Sequence, residues 1–136
     1  MLDVSWTTIR LFLHVVAAAV WVGGQLVLLG LLPTLRSLGP DAPRLAARRF
    51  NLIAWSAFGV LVVTGIWNLL AVNVGDMTTE WHASLGLKLL LVAATGIAAA
   101  FHAGARSRAV LAAGGAVGLL AGLGAVFVGL QLSGAT

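Results

Sequence analysis

The chain has 136 residues, of which 60% are hydrophobic and only 9% charged, and it contains no cysteine. That composition suits one domain but not a water-soluble one, and the missing cysteines exclude disulfides and thiolate metal sites. The formal net charge of +4 speaks for membrane topology and not for nucleic acid, because most of the Lys and Arg residues fall in short connections between apolar runs.

Four apolar segments follow in order, roughly Thr8 to Leu32, Phe50 to Val72, Leu85 to His102 and Val110 to Leu132. Each is near the ~20 residues that a helix rising ~1.5 Å per residue needs to cross about 30 Å of hydrocarbon. The expected fold is therefore all-α, a single integral membrane four-helix bundle with short connecting loops. The opening Met1-Leu2-Asp3 lacks a basic leader region, so the first run is read as a retained helix.

Between the first and second segments, Gly39, Pro40 and Pro43 are expected to break helix, and Arg36, Arg44, Arg48 and Arg49 gather there against Asp41. The connection after the third segment carries Arg106 and Arg108, whereas the stretch from Asn73 to Trp81 carries Asp76 and Glu80 and no basic residue. The positive-inside bias then predicts both termini and the 73–81 stretch outside. Trp6 and Trp81 fall at the outer interface in that topology. In the fourth segment Gly114, Gly118 and Gly122 recur every four residues, which predicts a helix-packing seam and would also serve a homo-oligomer contact.

Polar residues inside the apolar runs are the candidates for function, because they are costly in a membrane. Arg10, His14, Trp21 and Gln25 recur at intervals of four, seven and four, a narrow sector of a regular helix. Neutral imidazole is the commonest metal ligand and the usual ligand of haem iron, so His14 leads this group. Its bland alternative is a hydrogen bond to a neighbouring helix. Lys88 is predicted at a similar depth on the third helix, either snorkelling outward or facing His14 as a second ligand or charge. Thr64 and Asn68 share a face of the second helix at that level, with interhelical or own-backbone bonding as their structural alternative. His82 at the outer mouth is a possible access point or second ligand, and His102 lies at the opposite end. No acid lies within an apolar run, so hydrolytic and carboxylate-relay chemistry find no support.

The stretch LHVVAAAVWVGG, Leu13 to Gly24, resembles the first helix of the CopD-like (copper resistance D) superfamily of bacterial membrane proteins. RRFNLIAWSAFGVLVVTGIW, Arg48 to Trp67, and SLGLKLLLV, Ser84 to Val92, look like that family's second and third helices. The resemblance implies a bacterial-type inner-membrane location and copper handling or transport there. It also implies, as the alternative, the HemJ type, which binds haem b and whose first-helix histidine and third-helix lysine match His14 and Lys88. This chain departs from the HemJ pattern after its first helix: it has QLVLLGLLPTLR, keeps only Pro33 of a Tyr, Pro, Arg and His series, and contains no tyrosine. The expectation is a metal-linked site in the outer half, with copper first, haem b second in a carrier or redox role, and a structural or accessory subunit third.

Overall fold

The structure is a computed structural model and describes residues 4–135. Met1, Leu2 and Asp3, on which the reading of a retained first helix drew, lie outside the described residues. The fold is all-α, with no strand among the described residues and four helices long and apolar enough to cross a membrane. We label them α1 (Trp6–Leu38), α2 (Ala42–Leu70), α3 (Thr79–Gly104) and α4 (Arg108–Gly134). The chain divides into two compact units, Met1–Asn73 and Val74–Thr136. Each unit holds one helix pair.

Three of the helices extend past both ends of the apolar segments expected for them, and α2 starts eight residues early but ends at Leu70, two residues short of Val72. Helix formation does not stop where hydrocarbon stops, because a cap and a continuous backbone ladder suffice in the headgroup layer. Ser5 accepts a hydrogen bond from the Thr8 amide at the start of α1, Thr78 from Trp81 at α3, and Ser107 from Val110 at α4. The break between α1 and α2 is shorter than the three predicted breakers suggested. Gly39 ends α1 with φ at 138°, a conformation that favours glycine, whereas Pro43 sits in the first turn of α2, where no donor is missed. Arg44, Arg48 and Arg49 are consequently helical.

In the first unit the partners run in opposite directions along the two helices. Trp6 meets Trp67, His14 meets Thr64, and Trp21 meets Phe58. Gly24 lies so close to the Phe50 ring that a Cβ there would collide with it, which gives Gly24 a packing reason, whereas a Cβ on Gly23 would meet nothing within 4 Å. Within α1, residues Ala19–Gly23 form a π-helical turn. Such a turn winds fewer degrees per residue, so everything beyond it is rotated from the regular-helix register.

In the second unit α3 and α4 pack along the predicted glycine seam. A Cβ on Gly118 would touch Ala98, while Gly122 is buried. The close approach exposes the Gly118 carbonyl to Thr95, whose hydroxyl donates to it at 2.7 Å. Along the spans, Phe12, Leu90, Leu120 and Phe127 stand more than 60% exposed. Large apolar side chains so placed on helices of this length face lipid.

Glycine is required at Gly114, where an added Cβ would stand 3.1 Å from the His102 Cβ and 3.2 Å from the Ala98 carbonyl oxygen. Neither neighbour can swing aside, since one is a Cβ and the other backbone. Gly114→Ala is expected to destabilise the protein by about 1–3 kcal/mol, the usual cost of overpacking. Gly30→Ala, which would meet nothing within 4 Å, is expected to be neutral or slightly stabilising. Unfolding both variants in mixed micelles checks the pair.

Candidate functional site

The polar residues of the first unit assemble in levels along the α1–α2 contact. At the end where α1 begins, the Trp6 and Trp67 rings lie 6.3 Å apart. Two turns further in, His14 Nδ1 lies 2.7 Å from Thr64 Oγ1. The ring passes over Gly65, where a Cβ would be 3.6 Å from His14 Cε1. Deeper still, Trp21, 2% exposed, packs against Trp55 and Phe58 at centroid distances of 5.5 and 4.6 Å. Ala17 of α1, buried, separates the imidazole from this aromatic floor.

Proton counting assigns the His14 tautomer. The Thr64 hydroxyl donates to the Val60 carbonyl at 2.7 Å, with Leu61 at 3.3 Å. A hydroxyl has one proton, so once it is given to the backbone, the short contact to His14 needs a proton from the ring. Nδ1 therefore donates to Thr64 Oγ1, and in the neutral imidazole the basic lone pair belongs to Nε2. A ring held through one nitrogen with its lone pair on the other is the arrangement of a metal-ligating histidine. Thr64 is 3% exposed, so its role as acceptor is made in a dry environment.

One turn before His14 stands Arg10, and one turn after Thr64 stands Asn68. Because the helices run oppositely, both lie one turn toward the Trp6–Trp67 end. Arg10 Nε and Asn68 Oδ1 are each buried without a hydrogen-bond partner. A donor and an acceptor left unsatisfied at one level invite a polar group between them, since burying either alone costs about 1–3 kcal/mol. Gln25 does not join this layer. Its side-chain amide donates to the Trp21 carbonyl at 2.9 Å, beside the π-helical turn. The predicted spacing assumed a regular helix, and the wide turn invalidates that assumption.

The remaining sequence candidates lie in the second unit. The Lys88 side chain runs along α4 over Gly129, where a Cβ would stand 3.2 Å from Nζ and 3.4 Å from Cε. Leu91 packs against Gly124 in this pair, which puts Lys88 level with Phe127 and leans its amine about 3 Å toward the α4 terminus. That is a snorkelling direction, along a groove that glycine keeps open. His82 Nδ1 donates to the Thr78 carbonyl at 2.8 Å, and its ring meets Trp81 edge-on. His102 Nδ1 donates to the Leu111 carbonyl at 2.7 Å and ties the α3–α4 turn. Among the described residues no group of three His, Asp or Glu side chains comes together.

Sequence reasoning missed the seats beneath the two basic side chains. Gly65 follows Thr64 directly and sits under His14; Gly129 had no partner in sequence until the α3–α4 register was known. Depth matching did bring out Thr64 and Asn68. No family model, curated protein or solved structure matches the chain.

Thr64→Val keeps the shape of the side chain and removes the acceptor, so it strands the His14 Nδ1 proton. The variant is expected to lose about 1–2 kcal/mol of stability in micelles, the range for a stranded donor tempered by the weaker interhelical bonds measured in membranes. Thr64→Ser, which restores the hydroxyl, is expected to retain most of it. Equal losses in the two variants would contradict the hydrogen bond's role.

Proposed function

We propose that this multi-pass membrane protein holds haem b through His14 Nε2, in a carrier or redox role of the kind the HemJ side of the CopD-like resemblance implies. The observation that carries the reading is the proton count at Thr64, which leaves the His14 lone pair on Nε2 and anchors the ring by its other nitrogen. Haem asks the protein for one good axial imidazole, because the porphyrin supplies the other four nitrogens. A resident copper ion asks for several protein donors, preferably sulfur when reduced. Cysteine is absent and the described residues gather no set of three His, Asp or Glu side chains. The donor set thus fits haem better than copper.

Three further features of the first unit support the same group. Arg10 Nε, buried and without a partner one turn from His14, is a cation suited to a propionate. Ala18, half-buried one turn beyond His14, keeps the helix surface low where a flat ligand would lie. Thr64 fixes the tautomer so that no proton competes at the ligating nitrogen. Bound haem would supply one-electron chemistry at iron, tuned by its axial ligand and by burial. The positive-inside asymmetry between the arginines of 36–49 and the acidic 73–81 stretch favours an inner membrane with both termini outside.

The visible spectrum of protein purified from haem-replete cells tests this. We expect a Soret band that is lost in His14→Ala and kept in His102→Ala, whose ring is bound to the α3–α4 turn. Bound copper without a Soret band would return the copper reading to first place. A colourless, metal-free protein would favour an accessory subunit.

A further inference from the structure

At the opposite end of the first unit from the His14 layer, the first turns of α2 carry a second feature. A cleft of about 430 Å³ is lined by Leu45, Arg48, Arg49, Asn51 and Leu52. Four arginines lie between residues 36 and 49 against the single acid Asp41, and Asp41 precedes Arg48 by seven residues, about 10 Å along a helix. Arg48 and Arg49 are exposed, and Asn51 beside them is half-buried.

The helical spacing extends this cleft toward the membrane interior. Leu45, Arg48, Arg49 and Leu52 fall at i, i+3, i+4 and i+7, on one face of α2. That same face continues through Ser56, Gly59 and Val63, all exposed. Ser56 spends its hydroxyl on the Leu52 carbonyl at 2.9 Å and so presents a small surface with its donor satisfied. Gly59 has no side chain, and nothing lies within 4 Å of where its Cβ would be. The buried residues of α2, Ala54, Ala57 and Thr64, lie away from this face. Two guanidinium groups and an amide thus sit above a shallow furrow walled by leucine and valine.

Length places the two parts in different solvents. α2 has 29 residues, about 43 Å at the helical rise, and exceeds a hydrocarbon core of about 30 Å by roughly two and a half turns. The turns holding Arg48 and Arg49 belong in the headgroup layer, and Ser56 to Val63 in the acyl layer. Arginine forms paired hydrogen bonds to phosphate oxygens, and basic clefts at helix ends suit anionic headgroups.

From these observations we infer that the Arg48–Arg49 end of α2 is a binding site for one anionic phospholipid, with its phosphate on Arg48, Arg49 and Asn51 and an acyl chain along the Leu52–Ser56–Gly59 furrow. Binding of this kind is independent of the haem reading, which concerns the other end of the helix pair. The basic start of α4, with Arg106 just before it and Arg108 as its first residue, provides a matched control of equal charge.

The test uses the full chain, delipidated in detergent and titrated with phosphatidylglycerol or phosphatidylcholine, with bound lipid counted by native mass spectrometry. We expect about one tightly held phosphatidylglycerol per chain and no comparable phosphatidylcholine. Arg48→Gln with Arg49→Gln is expected to weaken phosphatidylglycerol at least roughly tenfold, since both charge-assisted contacts to the phosphate are lost. Arg106→Gln with Arg108→Gln is expected to change it less than about twofold, with no direct contact removed. Gly59→Trp, which fills the furrow without changing charge, is expected to lose the bound lipid while melting like the parent. Equal losses in the two arginine pairs, retention by Gly59→Trp, or displacement by millimolar inorganic phosphate alone would overturn the assignment.

Discussion

The single proton of the Thr64 hydroxyl governs the chemistry of the first helix pair. Given to the Val60 carbonyl, it leaves Thr64 an acceptor, which obliges His14 to donate through Nδ1 and sets the lone pair on Nε2. In water such a choice between tautomers would be soft, because solvent answers either ring nitrogen equally well. In a membrane no solvent stands in for a missing partner, so the helix backbone decides the tautomer through one side chain. Other features of the pair serve this contact: Gly65 seats the ring, the short Gly39 turn keeps the helices adjacent, and the Trp6–Trp67 contact closes the end above it.

The π-helical turn at Ala19–Gly23 divides α1 into two functional stretches. Before it, the helix presents Arg10 and His14 to α2; within it, Trp21 is turned into an aromatic cluster with Trp55 and Phe58. A regular helix would carry Gln25 into the same polar sector, whereas here Gln25 binds back to the Trp21 carbonyl. The cluster contributes about 0.5–1.5 kcal/mol per ring pair beyond its burial, which helps a small unit hold an otherwise costly polar layer. The second pair uses a different device. Its seam of glycines brings α3 and α4 close enough for Thr95 to bond the Gly118 carbonyl and leaves Lys88 lying over Gly129.

Much of this was legible from residues alone. Four spans follow from the length and apolarity of the runs, and the seam at Gly114, Gly118 and Gly122 follows from spacing. Counting depth along opposed helices brought Thr64 to the level of His14, with Asn68 one turn off, at the level of Arg10. Helix ends were less legible, because Arg44 to Arg49 and Thr79 to Ser84 are polar yet helical, and polarity marks the edge of the hydrocarbon and not the end of a helix. The wide turn in α1 was illegible, since Ala19 to Gly23 holds no proline and its sequence is ordinary for a membrane helix. Gly129 beneath Lys88 depends on the register between helices, which no local pattern records.

Nitrogen NMR of the His14 ring in the ligand-free protein tests the central claim most directly, because the two ring nitrogens shift oppositely with protonation. The account predicts a neutral ring with protonated Nδ1 and unprotonated Nε2, a pattern that Thr64→Val weakens. An unprotonated Nδ1 accepting from Thr64, with the proton on Nε2, would contradict it.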